Sequence, residues 1–272
     1  MIRLVLSDVD GTLITSQRAL TDATRRAVQD LGRAGIGFTV VSGRPPPGFR
    51  SIARELQFRA PFAAFNGGML VNPDLSILEQ RHLDPDVAAA MIRRLDEMGL
   101  DTWLYRGTEW LIRDPKAPHV ARELDNVGLI PTVVNSFDRF HDRVIKIVGV
   151  SDDYGLVERA EATLRNDRCY VVVAARSQNY YVDITHNDAN KGSVVDRLAA
   201  ILGISPLEIA TLGDMPSDVL MFERSGLSFA MGNASESVKS RATRVVASND
   251  NDGFAEAASE ILEAKQWKKK SS

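Results

Sequence analysis

"LVLSDVDGTL", residues 4–13, is an apolar run that ends in two aspartates two positions apart, followed by Gly-Thr. A β-strand alternates its faces, so side chains at i and i+2 point the same way. Asp8 and Asp10 are therefore expected to meet at the end of a buried strand. Two like charges that close repel, and one pKa rises. A cation between them removes the conflict, and the rest of the chain must supply its other ligands.

Outward from that stretch, strand and helix patterns alternate. A helix over 21–35, entered through Thr21 and left through Gly35, leads to a buried strand over 36–42. A helix over 49–57 and a strand over 61–65 follow. The same rhythm returns late, with helices predicted over 191–203, 217–226 and 235–240, and a terminal helix from Asp252 to Trp267. Strands over 208–213, 227–231 and 243–247 separate these helices. Strands apolar on both faces and separated by helices indicate a parallel sheet covered on each side. The middle of the chain reads differently. Residues 69–80 form a hairpin pattern with Asn72-Pro73-Asp74 at its turn. Two helices (85–99 and 154–166) then lie among strands over 101–105, 143–150, 169–175 and 180–185 with antiparallel character. The fold class expected is α/β, a Rossmann-like parallel sheet core built from 1–82 and 187–272, with an α+β domain over 83–186 inserted into it.

Composition narrows the partners. The 272 residues are 44% hydrophobic and 25% charged, ordinary for a globular protein, and the formal charge is −3. Nothing there favours nucleic acid or an anionic membrane as partner. The single cysteine, Cys169, allows no disulfide within the chain and is expected to be a small buried hydrophobe. With no signal-peptide pattern and no apolar run of about 20 residues, a cytoplasmic location is expected. The closing "WKKKSS" reads as a solvated tail.

In a parallel α/β sheet, ligands sit past the carboxyl ends of the strands. Polar clusters follow four strands: Asp8 and Asp10; "SGR" (Ser42, Gly43, Arg44); "NGG" (Asn66, Gly67, Gly68); and "GDMPSD" from Gly213 to Asp218, while Lys191 opens the helix before that last strand. Asp8, Asp10 and Asp214 offer the hard oxygen ligands that suit Mg2+. Ser42, the Gly43 backbone and Lys191 offer donors and positive charge for a phosphoryl group. Arg44 either touches phosphate or braces its loop. The economical mechanism makes Asp8 a nucleophile that forms an aspartyl-phosphate, with Asp10 as acid and base.

"DVDGTL", "SGR", Lys191 and "GDMPSD", in that order, resemble the four motifs of the haloacid dehalogenase (HAD) superfamily. "FNGG", "MGNA" and "ASNDNDGFAEA" are similar to its Cof-type (IIB) branch of small-molecule phosphatases. The resemblance implies Asp8 as nucleophile, Asp10 as acid/base with its carbonyl on the metal, Asp214 as magnesium ligand, and Asp218 orienting Lys191 or a metal-bound water. It implies that the inserted segment is a C2 cap that selects the substrate. Where the family motif reads Gly-Asp-x-x-Asn-Asp, this chain carries Ser217, a candidate phosphate contact or N-cap of the next helix.

The expected function is a magnesium-dependent phosphatase acting on small phosphate esters, with sugar phosphates first and cofactor phosphates next. The alternatives are a phosphomutase or phosphotransferase, and a phosphometabolite-binding protein without turnover. His82 and His186 fall at the two linkers. His119 and His141 are expected at the surface, and Tyr105, Arg106 and Arg113 are weaker candidates for reading a substrate. Oligomeric state is not legible.

Overall fold

The computed structural model describes residues 1–167 and 169–270. Fourteen strands among them form two sheets. The first sheet opens with β1 (Leu4–Asp8), β2 (Gly37–Val41), β3 (Phe62–Ala64), β4 (Met69–Val71) and β5 (Ile77–Gln80). The chain then builds the second sheet from β6 (Asp101–Arg106), β7 (Glu109–Ile112), β8 (Thr132–Val133), β9 (Val144–Val150), β10 (Val172–Gln178) and β11 (Tyr181–His186). It returns to the first with β12 (Ile209–Gly213), β13 (Leu227–Ala230) and β14 (Arg244–Val245).

The first sheet runs β14-β13-β12-β1-β2-β3-β4-β5. It is parallel from β14 to β3, whereas β4 and β5 are antiparallel, so the sheet is mixed rather than wholly parallel. The reason is local: the turn at Asn72–Asp74 folds β5 back on β4 and leaves no length for a crossover. Helices cover both faces. On one side Val5, Val40 and Phe62 pack with α1 (Asp22–Arg33), α2 (Arg50–Leu56) and α9 (Gly253–Lys270). On the other side Leu4, Leu6 and Val41 pack with α6 (Lys191–Leu202), α7 (Val219–Phe222) and α8 (Glu236–Lys239).

In the second sheet the order is β10-β11-β9-β6-β7-β8, antiparallel except for β7 with β8. One face carries α3 (Pro85–Met98) and α5 (Tyr154–Arg165) over Leu104, Ile147, Val182 and Ile184. The opposite face, with Trp103, Tyr105, Trp110, Val148 and Tyr181, shares an apolar cluster with Phe49 and Phe65 of the first sheet's loops. The Phe65 and Tyr105 rings lie 5.4 Å apart across that seam.

Several sequence expectations change here. The stretch 217–226 is helical only in α7, because a 3₁₀ turn at Pro216–Asp218 precedes it and the chain turns away after Glu223. Between Glu109 and Val133 lie β7, β8 and α4 (Val120–Val127), where no element was predicted; β8 is two residues long and α4 has no side-chain N-cap bond. Cys169 is exposed rather than buried, because β10 begins only at Val172 and Cys169 sits in the loop before it. The last helix runs on to Lys270, and Ser271 and Ser272 lie outside the described residues. Among the described residues, no helix is long and apolar enough to cross a membrane.

Candidate active site

Alternation along β1 decides where its last residue points. Leu4 and Leu6 face α6, and Asp8 continues that face at the strand end, buried at 4% exposure. Lys191 is the first residue of α6, on the same side. Its Nζ donates to Asp8 Oδ1 at 2.8 Å and to Asp218 Oδ1 at 2.6 Å, with all three side chains buried. A lysine at a helix N-terminus opposes the helix dipole. Here two carboxylates offset that mismatch. Asn190 caps the helix, its side chain accepting from the Ser193 N–H at 2.9 Å.

Asp218 is fully engaged. Its second oxygen accepts the backbone N–H groups of Asp214 at 3.0 Å and Met215 at 2.8 Å, which fixes the loop carrying Asp214. Asp214 Oδ1 accepts from the Thr12 hydroxyl at 3.0 Å. The Asn233 amide donates to the Gly11 carbonyl at 2.9 Å and lies 3.4 Å from Asp214 Oδ2. Thr12 and Asn233 were not singled out from the sequence as site residues. The signal for both was present: Thr12 follows the paired aspartates, and Asn233 follows the strand that ends at Ala230, another strand end on the same edge.

One oxygen from each of Asp8, Asp214 and Asp218 lies within 4.8 Å of the others. Three carboxylates thus surround a single ammonium. Burial pushes Asp8 up to about 8, with Lys191 opposing and Asp218 and Asp214 adding to the rise. Burial likewise raises Asp214 to about 6, helped by Asp218. Burial works to lower Lys191, but Asp218 and Asp8 outweigh it and its pKa rises, so the ammonium stays charged. The cluster is short of positive charge, and a divalent cation fits that deficit.

The carboxylate of Asp10 is not part of this group. β1 ends at Asp8, so strand alternation no longer governs residue 10, and the side chain turns to Arg44. Arg44 grips it with two bonds, Nε to Oδ2 at 2.8 Å and Nη2 to Oδ1 at 2.5 Å. Among side chains, the close carboxylate group is Asp8, Asp214 and Asp218, and the Asp10 carboxylate stands apart from it. Arg44 also braces its own loop, donating to the Gly48 carbonyl at 3.3 Å. Beside it opens a cavity of about 200 Å³, lined by Arg18, Arg44, Ser51 and Glu55 and, across the seam, by Asp125 of α4.

Ser42, buried after β2, accepts the Arg44 N–H on its hydroxyl at 3.4 Å. Its carbonyl receives the Asn66 N–H at 2.8 Å, tying the second and third strand-end loops together. A Cβ on Gly43 would stand 3.3 Å from the Asn66 amide nitrogen. Phe65 and Asn66 both hold left-handed backbone, at φ 52° and 55°, a costly conformation held by these bonds. Ser217 lies half-buried in the turn before α7 and does not cap it: the N-cap position is Asp218, and no side-chain cap bond forms.

The weaker candidates fall elsewhere. Arg106 is buried against Asp142 and Glu109, and Arg113 is held by Asp96. The Tyr105 hydroxyl donates to Glu123 at 2.6 Å. His119 stacks on Tyr180 with ring centroids 4.0 Å apart and meets Asp152 at 2.8 Å, and His141 is half-buried. His82 and His186 line a separate cavity of about 500 Å³ with Asp84 and Cys169.

The family described as haloacid dehalogenase-like hydrolase matches residues 5–257. The chain belongs to this family. Over 94% of its length it is 28% identical to a Haemophilus influenzae protein provisionally named a phosphatase, covering 96% of that protein. It is 25% identical to the 5-amino-6-(5-phospho-D-ribitylamino)uracil phosphatase YbjI of Escherichia coli, with 96% of each chain covered. The crystal structure of a haloacid dehalogenase-like hydrolase from Bacteroides thetaiotaomicron superposes with a TM-score of 0.85 at 26% identity, covering 96% of this chain and 100% of that one. With relatives named as phosphatases and this family's fold, the chain is a phosphoric monoester hydrolase.

Proposed function

We propose that the protein hydrolyses phosphate esters of small hydroxyl-rich metabolites, sugar phosphates foremost, through an aspartyl-phosphate formed on Asp8 and with magnesium bound. The observation that carries this reading is the Lys191 ammonium, held between Asp8 and Asp218 with the Asp214 carboxylate in the same cluster. Asp8 and Asp214, with the Asp10 carbonyl, would hold the ion, since Asp218 already spends its oxygens on Lys191 and two backbone N–H groups. Bound magnesium would neutralise charge between the nucleophile and the phosphoryl oxygens.

In this mechanism an Asp8 oxygen attacks phosphorus, the bond to the leaving oxygen breaks, and Asp10 gives that oxygen its proton. Asp10 is left ionised, still within the Arg44 fork. It then takes a proton from water as the water oxygen attacks phosphorus, the bond to Asp8 breaks, and both aspartates return to their starting forms. Lys191, the Ser42 hydroxyl and the Gly43 N–H would hold phosphoryl oxygens, with Asn66 fixing the Gly43 loop. Residues 83–186 would act as a cap over this edge, supplying one wall of the cavity beside Arg44. Relatives named for a phosphoribitylamino substrate support a polyhydroxylated leaving group.

The direct test is hydrolysis of p-nitrophenyl phosphate with and without magnesium, by the wild type and by Asp8→Asn. The expected outcome is metal-dependent turnover that Asp8→Asn lowers about ten-thousandfold or more. Its folding midpoint should be unchanged or raised, because one carboxylate leaves a cluster that has too many. Wild-type binding of phosphate esters without turnover would favour the non-catalytic alternative.

A further inference from the structure

Among the described residues, Arg81 Nε and Arg197 Nη2 are buried with no hydrogen-bond partner, and both arginines grip one carboxylate, that of Glu79. Arg197, on α6, donates from Nε to Glu79 Oε2 at 2.9 Å and from Nη1 to the Gly67 carbonyl at 2.5 Å. Arg81, just past β5, pairs with the other oxygen of Glu79, and its backbone N–H donates to the Gly68 carbonyl at 2.8 Å. The Arg197 side chain is only 12% exposed. An apolar group in place of a buried ion pair is often no less stable, so stability alone does not account for this one. Its place in the fold offers a positional reason.

Lys191, Val194 and Arg197 follow one another at intervals of three residues along α6, so each neighbours the next on the helix surface. Against this row lies the loop after β3. A Cβ on Gly67 would fall 2.8 Å from Val194 Cγ2 and 2.9 Å from the carbonyl oxygen of Asn190, the residue that caps α6. The loop therefore rests on the turn that presents Lys191. One residue earlier, Asn66 donates its N–H to the Ser42 carbonyl, and its amide meets the Gly43 loop. Lys191 and the Ser42–Gly43 loop come from either side of the inserted segment, and residues 66–67 are their common support. Arg197 fastens that support to α6 and, through Glu79, to β5.

We propose that Arg197 is a positioning residue for phosphoryl transfer: its bonds to Gly67 and Glu79 fix the spacing between the Lys191 ammonium and the Ser42–Gly43 loop. This rests on the phosphatase reading given above. Arg197 acts at a distance, since six residues of helix, about 9 Å of rise, separate it from Lys191. Arg81 holds Glu79 from the linker side, so the anchor that Arg197 uses is itself fixed. A phosphoryl group in transfer spreads its charge over three equatorial oxygens, and donors on two sides of it must keep their separation to meet that charge. A helix released from the loop still binds a tetrahedral ester but fits the transition state less well. The loss then falls on kcat rather than on KM.

The test uses the full chain with magnesium and compares the wild type, Arg197→Met and Arg197→Lys. Each is assayed on p-nitrophenyl phosphate and ribitol 5-phosphate, and for inhibition by orthovanadate, which takes the five-coordinate geometry of a phosphoryl group in transfer. Arg197→Met keeps the apolar stem and deletes both bonds. It should lower kcat about tenfold on both esters, leave KM within about twofold, and raise the orthovanadate inhibition constant about tenfold. Arg197→Lys keeps the charge but not the fork, and should show the same pattern at about threefold. It decides the matter alone if Arg197→Met does not fold. A merely structural role lowers kcat by losing folded enzyme and leaves the inhibition constant unmoved, because that constant does not depend on how much enzyme is active. An unchanged orthovanadate constant, or a loss confined to one ester, overturns the proposal. A wild type silent on both esters overturns the phosphatase reading itself, before any variant is compared.

Discussion

At Asp8 the sequence already stated the problem, a carboxylate where an apolar strand ends, and the fold answers it only in part. Burial holds Asp8 near 8 and Asp214 near 6 against an ordinary 3.8, so the folded protein keeps protons that the unfolded chain has released. Metal-free stability therefore falls as pH rises from about 4 through those two values. A divalent cation replaces the protons, so the thermal-midpoint gain from magnesium should grow from about pH 5 to about pH 8. A gain that is flat or shrinks over that range would show that these carboxylates are not what the ion binds. The positions of Asp8, Asp214 and Lys191 were legible because each sits at a strand end or helix start, where local pattern dictates geometry. Arg44's grip on Asp10 was not legible, since it depends on where β1 stops, and the strand runs two residues further than the apolar run. The buried state of Arg106 and Tyr105 was equally hidden, because their partners Asp142 and Glu123 lie 36 and 18 residues away.

Elements extend the same lesson. The helices over 21–35 and 191–203 were readable from their caps: Thr21 accepts from the Thr24 N–H, and both helices end beside glycines in left-handed backbone. Between Glu109 and Val133 the punctuation was one-sided: α4 ends at a left-handed Gly128, but its N-cap residue, His119, makes no side-chain cap bond. The turn after β1 depends most strictly on one residue. Gly11 has φ 81°, and a Cβ there would fall 2.4 Å from Asp214 Oδ2. Gly11→Ala should therefore push the Asp214 carboxylate out of place and cost about 1–2 kcal/mol in stability. The expected result is a magnesium requirement raised about tenfold or more, read from rate against magnesium concentration. An unchanged requirement would mean that Asp214 does not hold the ion.

For the whole molecule, the two sheets share one apolar cluster running from Val5 and Phe38 through Phe65 to Trp103 and Tyr181. Packing of that continuity couples the inserted segment to the rest. Urea unfolding of a Trp267→Phe variant should then give coincident transitions for the fluorescence of Trp103 and Trp110 and for far-ultraviolet circular dichroism. Two separated midpoints would show that the sheets melt independently. The interleaved order of the chain has one more consequence. Leu4 pairs with Ile209 at the centre of the first sheet, with the whole six-stranded sheet encoded between them. A ribosome adding about 5–20 residues per second delivers the partner strand about 10–40 seconds after β1 leaves the exit tunnel. During that interval β1 has a bare edge, Asp8 lacks its lysine, and a nascent polypeptide is exposed to aggregation at the very strand on which its chemistry is later assembled.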